Sequence, residues 1–287
     1  MTTVPFLITG AGGMLAKAFR TLLPASQVIA ADSKTLDVTD AVAIEKALDA
    51  GPLRAVIHCA AYTQVDACET NIEKALLVNG TAVGHLALAC AKRGIPLVHF
   101  STDYVFDGEK PSAYVEDDVC SPINRYGESK WAGEQALQAV AQHHPNWPYF
   151  IFRIQWLYGA GGVHFVDTIA RLAKEKGALS VVRDQWGSPS WTLDIAASVL
   201  SFLQRPGPRG IYHLANQGYT TWYDLTVMVL AELGIPCQLT PVDSSAFPRP
   251  AKRPHQSSLS IGRFLGTGAK PPLHWRDAVQ LFLKSNR

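Results

Sequence analysis

Tyr126 and Lys130 stand four residues apart in Asn124-Arg125-Tyr126-Gly127-Glu128-Ser129-Lys130. On a helix that spacing puts both side chains on one face, one turn apart. An ammonium beside a phenol favours the phenolate and lowers the tyrosine pKa. A free tyrosine titrates near ~10, too high to shuttle protons at neutrality, and lowering it by about three units takes roughly 4 kcal/mol of differential interaction. A tyrosine tuned in this way can protonate a ketone oxygen or take a proton from an alcohol. Two solvated helix residues show the same spacing, so the pair gains its meaning from its surroundings.

The N-terminal stretch supplies such surroundings. The apolar run Phe6-Leu7-Ile8-Thr9 leads into Gly10-Ala11-Gly12-Gly13-Met14-Leu15-Ala16, and apolar residues recur at Leu15, Phe19, Leu22 and Leu23. The pattern is strand, tight loop, helix. Glycines let the backbone approach a pyrophosphate, and a helix N-terminus offers unpaired N–H groups and the positive end of its dipole. The spacing Gly10-x-x-Gly13-x-x-Ala16 differs from G-x-G-x-x-G, with Ala16 where the last glycine serves helix–strand packing. A second apolar run, Gln27-Val28-Ile29-Ala30-Ala31, ends at Asp32. An acid about 20 residues past the loop can bond the adenosine ribose hydroxyls.

These residues need a scaffold to position them. The chain has 287 residues, 47% of them apolar, enough for one large α/β domain or a main domain with a smaller one. Charged residues are 17% and the net charge is +2. No long basic or acidic run is present, so neither nucleic acid nor a membrane surface is implied as a partner. Five scattered cysteines (Cys59, Cys68, Cys90, Cys120, Cys237) form no metal-binding pattern and favour free thiols in a reducing cytosol, hence a cytoplasmic protein. No apolar run approaches ~18 residues, so no membrane-spanning helix is expected. The entry into a strand almost at residue 1 leaves no room for a signal peptide.

Strand-like runs at 6–9, 28–31, 55–58, 97–100 and 150–153 alternate with helical patterns at 15–23, 41–48, 72–93 and 129–143. Such alternation predicts a doubly wound parallel sheet of Rossmann type, with helices on both faces. Right-handed crossovers then place the strand C-terminal ends along one edge, where ligands bind. The Gly-rich loop, Ala60-Ala61-Tyr62-Thr63, Ser101-Thr102-Asp103 and Gln155-Trp156 all lie just past those ends. After about residue 157 the texture changes. Helices are expected at 165–176, 193–203 and 222–233, the last capped by Thr220 or Thr221, with short strands around 179–183 and 211–214. The division is therefore a dinucleotide-binding domain over 1–157 and a smaller, mainly substrate-binding α/β lobe over 158–287, some segments of which return to the first domain. Phe247-Pro248-Arg249-Pro250-Ala251-Lys252-Arg253-Pro254-His255 is Pro-rich and basic and cannot be regular structure throughout. It reads equally as a surface connector or as a cationic loop gripping a phosphorylated substrate.

Thr9-Gly10-x-x-Gly13, Tyr126-x-x-x-Lys130 and a hydroxyl residue after the fourth strand together resemble the extended short-chain dehydrogenase/reductase superfamily. Ser101-Thr102-Asp103-Tyr104-Val105-Phe106-Asp107-Gly108 is similar to the dTDP-4-dehydrorhamnose reductase family, as are Ala60–Asp66, Tyr212–Asn216, Asp184–Pro189 and Arg249–Pro254, in that family's order. The resemblance implies transfer of a hydride from NADPH or NADH to the C4 ketone of dTDP-4-dehydro-β-L-rhamnose, giving dTDP-L-rhamnose. It implies Tyr126 as general acid, Lys130 as the group that lowers its pKa and bonds the nicotinamide ribose, and Thr102 as a donor to the substrate carbonyl. Two donors on one oxygen stabilise charge as it develops. Asp103, Trp156 and Arg253 would contact the nucleotide sugar. Gly10, Gly13, Met14 and Leu15 would line the pyrophosphate, Asp32 the adenosine ribose, Asp37 and Val38 the adenine, and Ala60, Ala61, Tyr62 and Thr63 the nicotinamide half. Asp32 favours NADH, whereas Lys34 could offset its repulsion of a 2′-phosphate.

Some positions depart from that family. Ile154-Gln155 replaces a Thr-Ser pair before Trp156, and Val163-His164 precedes Phe165 where an Asn is frequent. Both bear on the choice of sugar, so a 4-ketoreductase of another nucleotide deoxysugar is the nearest alternative. A non-catalytic subunit resembling the regulatory subunit of methionine adenosyltransferase is a second, against which the retained Thr102, Tyr126 and Lys130 argue. Some relatives dimerise around a metal held near the first helix, but here that helix opens Ala16-Lys17-Ala18-Phe19-Arg20. No metal is expected, and the protein is read as a monomer or homodimer.

Overall fold

The computed structural model describes residues 4–285. Strands β1 (Phe6–Thr9), β2 (Val28–Ala31), β3 (Ala55–His58), β4 (Leu97–Thr102) and β5 (Tyr149–Ile154) lie parallel in one sheet. β1, β3 and β4 are buried throughout, as short apolar runs covered on both faces must be. Edge strand β2 leaves Ile29 exposed. Helices α1 (Met14–Leu22), α2 (Ala41–Asp49), α3 (Val65–Cys68), α4 (Ile72–Leu76), α5 (Ala82–Arg93) and α6 (Arg125–His143) connect them. Asp40 starts α2 by accepting from the N–H groups of Val42 and Ala43. Asn124 starts α6 by accepting from Gly127 N at 2.8 Å.

Three expectations need correcting. The cap at Asn124 begins α6 at Arg125 rather than at 129, which brings Tyr126 onto the helix. β4 runs on through Thr102, so Ser101 and Thr102 belong to the strand and Asp103 opens a 3₁₀ turn, Asp103–Val105. The single helix expected over 72–93 contains a π-helical turn, Leu77–Thr81, between α4 and α5. Asn79, Gly80 and Thr81 are poor helix formers and fall in that turn.

The second half comprises β6 (Leu157–Tyr158), α7 (Phe165–Lys176), β7 (Ala178–Val182), β8 (Trp186–Gly187), β9 (Ser190–Trp191), α8 (Thr192–Phe202), β10 (Gly210–His213), β11 (Thr220–Thr221), α9 (Trp222–Leu233), β12 (Gln238–Val242), α10 (Gly262–Leu265) and α11 (Trp275–Ser285). Thr221, not Thr220, caps α9. β10 joins the main sheet beside β5, completing six strands in the order β10-β5-β4-β3-β1-β2. The order reverses between β1 and β3, the position at which doubly wound sheets open a ligand crevice. One face of the sheet packs Ile8, Ile57, Phe100 and Phe152 against α1 and α8. The other packs Leu7, Val56, Leu97 and Ile151 against α2, α5 and α6. A third apolar cluster joins α7, α9, α11 and β7, and β12 pairs with β7.

Helix α11, not anticipated from the sequence, buries Trp275, Ala278, Val279 and Phe282 at helical spacing. Among the described residues, the stretch Ile72–Arg93 is long and apolar enough to cross a membrane, but more than half of its most apolar window is buried inside the protein. It is a core helix packed on α6.

One buried ion pair ties helix to sheet. Arg153 of β5 meets Glu134 of α6 in a two-pronged contact, Nη2 to Oε2 at 2.7 Å and Nε to Oε1 at 3.0 Å. Its remaining donor Nη1 reaches Glu116 O at 3.3 Å and lies 3.4 Å from His213 Nε2 of β10. The guanidinium also sits over the Phe106 ring. Removing one partner leaves a buried charge unpaired, so Glu134→Gln is expected to cost ~3–5 kcal/mol in urea unfolding, and Glu134→Leu with Arg153→Met to recover most of it. A single-variant loss below about 1 kcal/mol, within the range of an exposed pair, would show that the ion pair does not anchor α6.

Candidate active site

The crevice between β1 and β3 is built by close backbone approach. Gly10 has φ +66°, and a Cβ there would stand 2.6 Å from Ala60 N. Only glycine accepts both the left-handed backbone and that contact. Gly13 N donates to Gly10 O at 2.9 Å, and Gly13 then begins α1 with no side-chain cap and no acid in the first turn. The open N–H groups and positive helix end suit an anion, and the space lacking a Cβ suits a backbone-hugging pyrophosphate. Leu15 is buried, while Met14 and Lys17 meet the Gly159–Gly162 turn. Lys17 Nζ donates to Gly161 O at 2.6 Å, so that turn lies over the start of α1.

Asp32 ends β2 exposed. Its Oδ1 accepts from Lys34 N at 3.0 Å and from Thr35 N and Oγ1 at 3.1 Å, bonds that hold its pKa down. Asp37 accepts from Thr39 N and Oγ1, which likewise lowers its pKa, and Val38 beside it is buried. After β3 the backbone of Tyr62 is gripped at both ends. Its N–H donates to Asn79 Oδ1 at 2.8 Å, and Asn79 Nδ2 donates to Tyr62 O at 3.0 Å. Asn79 Nδ2 also donates to Ser129 Oγ at 3.0 Å, linking the Ala60–Thr63 segment to α6. The π-helical turn is what carries Asn79 there.

Thr102, Asp103 and Tyr126 come together at the end of β4. The Thr102 hydroxyl faces the Tyr126 phenol, donates to Asp103 Oδ1 at 2.9 Å and accepts from Tyr104 N at 3.2 Å. Gly127 makes this approach possible, since a Cβ there would lie 2.1 Å from Tyr104 O. Tyr104 and Tyr126 meet edge to face at 5.9 Å.

Lys130 does not do what its spacing suggests. Its Nζ donates to Phe100 O at 2.6 Å and does not act on Tyr126. Burial and the Asp103 carboxyl push the Tyr126 pKa up, and only the Thr102 hydrogen bond pulls it down. Spacing puts two residues on one face of a helix, but a long lysine side chain goes to the strongest acceptor in reach, here a strand carbonyl. Burial brings Lys130 down to about 8, opposed by Glu134 one turn on. His58 and His99 stack at 5.4 Å near this ammonium, and burial keeps both neutral.

Trp156 and Arg253 sit apart from this cluster. Trp156 has φ +45°, an uncommon backbone for a bulky residue that costs about 1–2 kcal/mol. Its indole stacks face to face on Trp222 at 3.6 Å and fills the space left by Gly187. Arg253 Nη1 donates to Asp66 Oδ1 at 2.7 Å and to Ala251 O at 2.6 Å. Asn124 holds the same loop by donating to Lys252 O at 2.8 Å. A cleft of about 960 Å³ opens between this loop and α7, α9 and β7. Trp222, Phe165, Lys176, Arg249, Arg253 and His255 are on its walls, offering aromatic surface and positive charge together. Ile123, three residues before Tyr126, belongs to the same wall.

Asn79, Ser129, Trp222 and Asp66 were not singled out from the sequence. Asn79-Gly80 inside an apolar helical run was a readable signal, and Asp66 ends the Ala60–Asp66 motif. Nothing in the sequence marks Trp222 as the partner of Trp156.

The family model described as the RmlD substrate binding domain matches residues 4–287. A dTDP-4-dehydrorhamnose reductase from Streptomyces griseus is 40% identical over 281 residues, 96% of this chain and 91% of the relative. A dTDP-4-keto-6-deoxy-D-glucose reductase from Streptomyces niveus is 38% identical over 277 residues, 96% and 94% of the two chains. The crystal structure of dTDP-4-dehydrorhamnose reductase from Bacillus anthracis in complex with NADP superimposes with a TM-score of 0.93 at 33% identity, covering 99% of each chain.

Burial raises the Asp103 pKa from 3.8 to about 7. Between those values the unfolded chain loses its proton while the folded protein keeps it, so stability falls as pH rises through that window, by roughly 4 kcal/mol in all. Asp103→Asn removes this loss. Its urea midpoint is expected to gain on that of the unsubstituted protein between pH 4.5 and pH 8; a difference independent of pH would mean that Asp103 ionises normally.

Proposed function

The chain belongs to the dTDP-4-dehydrorhamnose reductase family, the family of the RmlD substrate binding domain, and on that premise we propose that it reduces the C4 ketone of dTDP-4-dehydro-β-L-rhamnose to dTDP-L-rhamnose with NADPH or NADH. The proposed setting is cytoplasmic nucleotide-sugar synthesis for cell-surface polysaccharide. The observation that carries the reading is the Thr102–Tyr126 hydroxyl pair at the end of β4, beside the β1/β3 crevice of a chain matched over its whole length.

The bound nicotinamide cofactor supplies the hydride. The residues present fit it: Gly10 leaves room for close backbone approach, α1 starts uncapped, and Asp32 stands exposed just past β2. Asp32 holds the adenosine ribose. Lys34, next to it, favours a 2′-phosphate, so both cofactors are accommodated. Tyr126 donates its proton to the ketone oxygen as charge develops there, and the Thr102 hydroxyl steadies the phenolate that this leaves. Lys130, bonded to Phe100 O, would hold the nicotinamide ribose. The basic, aromatic cleft takes the nucleoside diphosphate, with Trp156 and Trp222 beside the sugar and Arg253 exchanging Asp66 for phosphate oxygens. This assigns 1–157 to the cofactor and most of 158–287 to the substrate, with α8 and β10 returning to the sheet.

A second sugar is favoured by one observation. The Gln155 carboxamide is buried, and neither its oxygen nor its nitrogen has a hydrogen-bond partner among the described residues. It stands where the family resemblance places a small hydroxyl residue, so a 4-keto sugar of different stereochemistry is the second reading.

The test is loss of nicotinamide absorbance with NADPH or NADH and the 4-keto sugar generated in place, with the product identified. Tyr126→Phe is expected to lower kcat by ~10²–10⁴-fold while NADPH affinity, read by fluorescence, stays nearly unchanged. Lys130→Ala should damage both. Turnover retained in Tyr126→Phe would remove Tyr126 from the acid role.

A further inference from the structure

Resting on the ketone-reductase reading, we propose that Asp103 is the proton store of the site, which recharges Tyr126 through the Thr102 hydroxyl after each turnover. Asp103 is 2% exposed, its Oδ2 has no hydrogen-bond partner among the described residues beyond the nearby Ser257 hydroxyl, and its Oδ1 accepts from Thr102 Oγ1 at 2.9 Å.

The hydrogen-bonding capacity of Thr102 carries the inference. Its oxygen has two lone pairs and one proton. It already accepts from Tyr104 N, it bonds Asp103, and it faces the Tyr126 phenol. When reduction leaves Tyr126 as a phenolate, an ionised Asp103 would put two anions in competition for that single proton. A protonated Asp103 satisfies every bond instead. Asp103 donates to the Thr102 oxygen, Thr102 donates to the phenolate, and both lone pairs of Thr102 are used. The transfer then runs from carboxyl to hydroxyl to phenol. The Thr102 proton passes to the Tyr126 oxygen, the Asp103 proton passes to the Thr102 oxygen, and the carboxylate regains a proton from water once the product leaves. One hydride from the cofactor and one proton from Asp103 balance the reduction of one ketone.

The groups around Asp103 support its holding that proton. The facing titratable groups are Tyr126 of α6 and Tyr104 of its own turn, with the Arg253–Asp66 pair beyond Tyr104. Ser257 adds a neutral hydroxyl, and burial outweighs the hydrogen bonds, so Asp103 titrates at about 7. Lys130 titrates separately, at about 8.

Two measurements test this. Carboxyl ¹³C NMR of the cofactor-free protein, with Asp103→Asn to assign the signal, should show one aspartate titrating near pH 7. A value in the ordinary range near ~4 overturns the proposal whether or not the protein reduces any sugar. In the reductase assay, kcat should fall as pH rises through 7, the direction set by loss of the stored proton. Asp103→Asn keeps an acceptor but has no acidic proton, so it should lower kcat by ~10–100-fold at pH 6 with little change in sugar KM. It should also abolish the limb near pH 7 while leaving the one near pH 8 that belongs to Lys130. A rise in KM alone, or an unchanged pH profile, overturns the store and leaves Asp103 as a sugar contact. Absence of sugar-dependent oxidation in the unsubstituted protein would sink the reductase reading, and the NMR titration would still decide the protonation of Asp103.

Discussion

The buried pairing of Arg153 with Glu134 is the contact on which the site depends. Helix α6 carries Tyr126 and Lys130, strand β5 leads to Trp156, and β10 closes the sheet beyond it. One guanidinium joins all three by spending its donors on Glu134, Glu116 O and the neighbourhood of His213. Two opposite charges out of water are costly apart and tolerable only with good geometry and every donor used. That condition fixes where α6 lies against the sheet, and so where its first turn can bring a phenol.

Close backbone approach then sets the distances. Gly127 lets the first turn of α6 press on Tyr104 O, and Gly133 lets its middle press on Asn79 O, where a Cβ would stand at 2.1 Å in each case. The π-helical turn aims Asn79 at the Tyr62 backbone, so the segment after β3 is held by the same helix that holds the acid. On the other side, Gly10 seats the loop after β1 directly on Ala60. The edge at Gly10 and Tyr62 and the edge at Thr102 and Tyr126 therefore share one set of contacts, and a shift of α6 would disturb both.

Burial, more than pairing, tunes the ionisable groups here. It keeps His58 and His99 neutral, brings Lys130 down to about 8 and holds a proton on Asp103 near neutrality. Burial and the Asp103 carboxyl hold the Tyr126 phenol above its ordinary range, and the Thr102 hydroxyl works against them. The second, aromatic and basic cleft lies along the same wall, its loop pinned by Asp66 and Asn124.

Much of this was legible in the residues alone. Five strands of the sheet, the Gly-rich turn with its acid, and the helices at 165–176 and 222–233 follow from apolar periodicity and local turn chemistry, which act within a few residues. Thr102, Asp103 and Tyr126 were legible as types and positions. The start of α6 was missed by four residues because a single Asn124 side chain decides it. Helix α11 was missed although its spacing was readable. What the tertiary structure alone decided is how those residues behave: Lys130 bonded to a strand carbonyl, Arg253 to Asp66, Trp156 stacked on Trp222, and Asp103 keeping its proton. Each of these depends on desolvation or on a partner distant in sequence. Local pattern dictates which element forms, but the charge state and the bonding of a side chain are set by what the packed fold places around it.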